Sequence, residues 1–280
     1  MSATTVPGRG ATLPTFSGVL ASEWTKITSL RSSSWLAALT VAASGALTYV
    51  GATASSVDPG FQPLGSLTDG VMLGQVFPLV LGVLVGTGEF STGTFRATFT
   101  AVPRRLPVVA AQALATGAFA LLVALLSVGA AVLGVLPAAR SRGIALDLGV
   151  DATPQVMVGM VLFLVGLTLL GLAIGALLRR SVPAVTTAVV LVLVLPIVLT
   201  LASDVGTSPL AQEPSGLSVV DTVTTFLPSG AGWLLMMPSD GTGYDGAPNL
   251  GPWGGGLVLL AWILGLLAVA AARLRTRDVV

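Results

Sequence analysis

The chain has 280 residues, 54% of them hydrophobic and only 9% charged, with a formal net charge of +1. A soluble domain carries roughly 25% charged residues, so this composition cannot cover a water-facing surface. The chain contains neither cysteine nor histidine, which excludes disulfides, thiolate chemistry, imidazole bases and the commonest metal ligands.

Residues 1–16 are rich in Ser, Thr, Pro and Gly and lack an apolar core. They read as a disordered cytoplasmic tail and not as a cleaved signal peptide. Residues 17–280 read as a single membrane domain. From Ser17 to Arg31, the apolar residues Leu20, Trp24 and Ile27 recur at helical spacing. Ser22, Thr25 and Ser29 lie largely opposite, and Glu23 and Lys26 fall between. This pattern predicts an amphipathic helix on the cytoplasmic membrane face, serving either as a simple interfacial anchor or as a contact for a partner.

A hydrocarbon core about 30 Å thick takes roughly 20 helical residues to cross. Six stretches are long enough: Trp35 to Ala54, Val71 to Gly88, Pro107 to Leu136, Gln155 to Leu178, Pro183 to Leu201 and Gly254 to Ala272. None contains Asp, Glu, Lys or Arg, as expected when one such charge at mid-bilayer costs roughly 2.5 to 3.5 kcal/mol. The overlong third stretch is expected to tilt or to extend beyond the membrane. Pro78 and Pro196 fall inside spans and should kink them, because each removes a backbone donor.

Charge placement sets the orientation. Arg9, Lys26, Arg31, Arg96, Arg104, Arg105, Arg179, Arg180, Arg273, Arg275 and Arg277 all fall on one side of the six spans. The other side holds Arg140 and Arg142 together with most of the acidic residues, including Asp58, Asp69, Asp147, Asp151, Asp221, Asp240 and Asp245. The positive-inside rule makes the first side cytoplasmic and places both termini there, in a multi-pass protein of the cell membrane.

The segment after the second span runs from Gly88 to Arg105. Phe95, Phe99 and Val102 share a helical face, Glu89 sits at the membrane edge, and Arg104 and Arg105 close the segment, which predicts a short cytoplasmic helix. An ordinary charged loop would account for the arginines but not for the apolar spacing. Gly82-x-x-x-Gly86 and Gly171-x-x-x-Gly175 allow close helix approach. They could form a dimer seam or pack within the chain, and packing within the chain is the expectation. Between Ser203 and Pro252, the apolar stretch from Leu217 to Met237 is broken by Pro228-Ser229-Gly230. It predicts short interfacial or re-entrant helices on the outer side instead of a seventh span.

At this point the sequence resembles a family. The start Ser22-Glu23-Trp24-Thr25-Lys26, the block Gly88-Glu89-Phe90-Ser91-Thr92-Gly93-Thr94, the run Ala101-Val102-Pro103-Arg104-Arg105 and the six-span layout are similar to type-2 ABC transporter permeases, particularly six-span actinobacterial-style versions. The resemblance implies an all-α integral membrane fold with six transmembrane helices, an N-terminal amphipathic helix, a cytoplasmic coupling helix and an outer re-entrant element before the last span. It implies that Glu89, Thr94, Phe95, Arg96, Phe99, Arg104 and Arg105 couple the chain to an ABC ATPase subunit, with the N-terminal helix packed beside them. The remaining implied partners are a second permease copy or a related permease, and membrane lipid. Nucleic acid is not expected.

The residues agree by exclusion. The only lysine, Lys26, is followed by Ile27, so there is no phosphate loop, and ATP and Mg are expected in the partner subunit. Ion-driven carriers commonly place ionisable groups within their spans, and here there are none, although sodium held by carbonyl and hydroxyl oxygens alone would escape this argument. Without histidine, a Ser-His site or a His-Glu-x-x-His metalloprotease is impossible, and no enzyme motif remains. The expected function is a permease subunit of an ATP-driven transporter, with export of a lipophilic or amphipathic compound. The alternatives are an ion-driven secondary carrier and a nontransporting membrane anchor or regulatory subunit.

Overall fold

The computed structural model describes residues 15–91, 105–149, 152–206, 218–238, 243 and 246–276. Every regular element among them is helical, and six helices are long and apolar enough to cross a membrane. The chain is thus built as a multi-pass membrane protein. Helix α1 (Phe16–Ser29) starts at Thr15, whose side chain accepts a hydrogen bond from the Gly18 amide. An extended Leu30 turns the chain into the first span, α2 (Arg31–Ser55).

Helix α2 is polar on its inner side. Its buried residues are Ser33, Thr40, Ser44, Thr48 and Ala52, while Trp35, Leu39, Tyr49 and Val50 are exposed. In lipid this is the favourable arrangement, because small hydroxyl residues permit close helix contact and the outer face needs only to be apolar.

The second span is composite. A 3-10 turn (Pro63–Thr68) and α3 (Asp69–Gly74) precede α4 (Val76–Ser91), with a break at Gln75. The kink expected from Pro78 thus appears three to four residues earlier, at Gly74 and Gln75. A proline has no N–H to offer the carbonyl four residues back, and its ring collides with that carbonyl. The third span, α5 (Arg105–Ser141), has 37 residues. At 1.5 Å per residue it is about 55 Å long, well beyond one hydrocarbon thickness.

The fourth span is α6 (Thr153–Leu178), closed by Arg179 in the left-handed conformation (φ 58°) with its N–H bonded to the Gly175 carbonyl. The fifth span joins α7 (Ser181–Val189), a π-helical turn (Val190–Val194) and α8 (Leu195–Gly206). Here too the distortion precedes the proline, since Val192 is four residues before Pro196. The sixth span is α11 (Gly251–Thr276). Before it come two short helices, α9 (Val219–Phe226) and α10 (Pro228–Leu235), where the sequence predicts broken helical structure.

At the centre of the molecule, α4 and α6 are packed backbone to backbone. A Cβ on Gly82 would stand 1.8 Å from the Thr168 carbonyl oxygen, and one on Gly86 would stand 2.4 Å from that of Leu172. In the opposite direction, Gly171 faces the Leu79 carbonyl at 2.2 Å and Gly175 faces that of Val83 at 2.6 Å. The two Gly-x-x-x-Gly motifs therefore mate with each other inside one chain. Around this pair the core collects Leu79, Val83, Phe163, Leu164, Leu167 and Leu170, all nearly or fully inaccessible.

The exceptional Arg142 has a structural role at the acidic end, where its Nη2 donates to the Asp58 carbonyl oxygen at 3.0 Å. At the basic end, Nη1 of Arg273 donates to the carbonyl of Leu177 at 3.1 Å and ties the last span to the end of α6.

Candidate functional site

Helix α1 packs where the second span ends and the third begins. Its buried stripe is Val19, Glu23 and Ile27, at i, i+4 and i+8. Ile27 shares an apolar cluster with Leu81 and Val85 of α4, Ala115 of α5 and Leu172 of α6, and Val19 joins Val108 and Ala111 of α5 in a second. Leu20 is half-buried against both clusters. Trp24 lies on a more exposed face, edge-on to Phe119 of α5 with ring centroids 6.3 Å apart. The buried face is therefore rotated from the predicted Leu20, Trp24 and Ile27 stripe, with Ile27 common to both.

Glu23 is the unexpected member of the buried stripe. Its side chain is only 3% exposed, and its Oε1 accepts from Nζ of Lys26 at 2.6 Å, one helical turn away. A carboxylate goes into an apolar surrounding only when it is paired, and Lys26 supplies the pairing while its own side chain still reaches solvent. Gln112 of α5, also buried, donates from Nε2 to the Val85 carbonyl at 3.3 Å and fastens α5 to the last turns of α4.

The remaining residues predicted for coupling lie in the intervening segment. Glu89 belongs to the last turn of α4 and Arg105 opens α5, with the side chains of both outside the description. Thr94, Phe95, Arg96, Phe99 and Arg104 lie outside the described residues. The structure brings Leu20, Glu23, Ile27, Gln112 and Val85 to one junction. Gln112 was missed by motif reading, although a lone amide in a charge-free span was a usable signal.

A second site lies at the opposite end. Pro154, Gln155, Val158, Gly159 and Leu162 of α6, Leu235 of α10, and Pro252 and Trp253 of α11 line a cleft of about 320 Å³. Val158, Leu162 and Trp253 are exposed, so the cleft opens sideways on the apolar surface. Its floor is tight, since a Cβ on Gly159 would stand 1.8 Å from the Leu235 carbonyl oxygen. Gln155 is engaged with the Met237 carbonyl at 3.4 Å, leaving a lining suited to an apolar ligand. Further along α11, Trp262 donates from its indole nitrogen to the Phe226 carbonyl at the end of α9, at 2.9 Å.

Among the described residues no group of carboxylates is placed to hold a metal ion. No protein-family model matches the sequence, and no curated protein matches it.

Proposed function

We propose that this chain is the membrane-spanning subunit of an ATP-driven transporter of the type-2 ABC permease kind, exporting a lipophilic or amphipathic compound. In this reading a separate ATPase subunit binds ATP and Mg, and a second permease copy or a related permease completes the pathway. Both termini and the 92–104 segment lie on the cytoplasmic side of the cell membrane.

One observation carries the reading: α1, through Val19, Glu23 and Ile27, is packed on the helix ends flanking the segment assigned to coupling. An interfacial anchor alone does not call for a buried carboxylate. The outer cleft supports a lipophilic cargo by its lining and lateral opening. The α9–α10 pair supports an outer re-entrant element, because Trp262, which bonds to it, lies 11 residues into α11, about 17 Å along the helix axis. The break at Leu227 is tolerable at that depth because Leu227 and most of α10 are buried in protein, while α9 keeps Val219, Val223 and Phe226 exposed.

The test is purification of the tagged chain from its own membranes in mild detergent, with mass spectrometry of what accompanies it. The expected result is a stoichiometric ATPase subunit, lost in Glu89→Lys or Arg96→Glu chains that still insert. Recovery of the chain alone, with no ATPase activity restored by candidate partners, would overturn the proposal.

A sodium-driven carrier is the second reading. It is favoured by the broken second span, where the buried Gln75 Oε1 and, on neighbouring α2, the buried Ser44 Oγ have no hydrogen-bond partner among the described residues, since discontinuous helices with free oxygens hold cations in such carriers. Cargo flux in vesicles that followed a sodium gradient without ATP would select it.

A further inference from the structure

The bend between α1 and α2 carries a feature that the transport reading does not use. Beside the extended Leu30 lies an open hollow of about 480 Å³, lined by Thr28, Ser29, Arg31, Ser34, Trp35 and Ala38. The last four follow i, i+3, i+4 and i+7 and so form one stripe on α2. All four are exposed, while Ser33 and Thr40 turn inward.

The stripe changes character along its length. Arg31 and Ser34 lie at the end of the span, and Trp35, 70% exposed, and Ala38 continue toward its middle. Among the described residues Arg31 has no hydrogen-bond or ion-pair partner, whereas Arg273 and Arg142 each donate to a carbonyl of the chain. A guanidinium with five free donors is suited to a phosphate.

The ligand that fits has an anionic head and an apolar tail, arranged in that order from the membrane surface inward. We propose that the α1–α2 bend is a binding site for an anionic phospholipid, with its phosphate on Arg31 and Ser34 and an acyl chain along Trp35 and Ala38. A free anion would use only the upper half and leave Trp35 uncovered. A zwitterionic phospholipid would bring its phosphate together with an ammonium group whose charge opposes Arg31, which a net anionic headgroup does not. The inference rests on the membrane-crossing helices and not on the transport reading, so loss of an ATPase partner would leave it standing.

The experiment is native mass spectrometry of the full chain released from nanodiscs of phosphatidylcholine, with and without phosphatidylglycerol. Wild type should retain phosphatidylglycerol preferentially. Arg31→Gln should weaken retention about fivefold, the weight of one basic residue at an anionic surface, while Arg31→Lys keeps part of it. Arg180→Gln is the charge-matched control and should retain as wild type does. Equal loss in Arg180→Gln and Arg31→Gln would reduce the effect to diffuse charge and overturn the site, as would a wild type without headgroup preference. Displacement of the lipid by inorganic phosphate alone would overturn the lipid assignment in favour of a free anion.

Discussion

Glu23 sits with its carboxylate in an apolar junction and Lys26 within 2.6 Å. A hydrogen bond to a charged group contributes about 2 kcal/mol, so Glu23→Ala is expected to loosen α1 while leaving the spans inserted. Hydrogen exchange of the Phe16–Ser29 amides should then quicken by more than about tenfold, and unchanged protection would show that Glu23 does not hold the helix. The glycines offer a paired prediction. Gly129 has nothing within 4 Å of its would-be Cβ, so Gly129→Ala should be neutral or stabilise by up to about 1 kcal/mol. Gly82→Ala drives a methyl group onto the Thr168 carbonyl and should cost about 3 kcal/mol, the upper end for overpacking. Thermal unfolding of the two variants in one detergent checks both. Gln75 holds a buried oxygen without a partner among the described residues, so Gln75→Leu should raise stability by about 1–2 kcal/mol if the amide is only structural. A fall in stability or transport would mark it as a group in use.

At the scale of elements, the prolines explain more than the apolar pattern does. The span limits were legible because charges are excluded from lipid: stretches without Asp, Glu, Lys or Arg coincide with the six long helices to within a few residues at most ends. Pro78 and Pro196 mark the two spans that are distorted, and the backbone opens at Gln75 and at Val190–Val194, near the carbonyls that each proline cannot serve. In the fifth span the Leu195 N–H reaches back to the Val190 carbonyl, five residues instead of four, which widens the helix ahead of the ring. Pro196→Ala should let the regular ladder close, and amide exchange between Val194 and Thr200 should slow by about tenfold or more. Two faces were not legible. The α1 face was read from Leu20, Trp24 and Ile27 because a glutamate is ordinarily counted outward, and only a paired Glu23 reverses that. The inward hydroxyls of α2, Thr40, Ser44 and Thr48, follow the inverse logic of a lipid-facing helix, which hydrophobic periodicity does not register.

For the whole molecule, the second and fourth spans are the most enclosed, 67% buried over their most apolar stretch, against 22% for the first and sixth. Because the chain has no cysteine, the proposed orientation can be read by single-cysteine labelling. A Ser181→Cys chain should resist an impermeant reagent added outside the cell, and a Val57→Cys chain should react. The opposite pattern would invert the topology. The loop assigned to coupling was legible only as a pattern, and what the structure adds is the rigidity of its flanks.

That rigidity has a mechanical reading. Where Gly82, Gly86, Gly171 and Gly175 bring α4 and α6 into backbone contact, the two helices act as a single strut, stiff because no side chain lies between them to yield. A push applied at Ser91 would travel the length of the molecule as a shared displacement of both helices. In the proposed transporter, such a displacement would end where the regular helical ladder is interrupted, at Gln75 and in the π-helical turn of the fifth span.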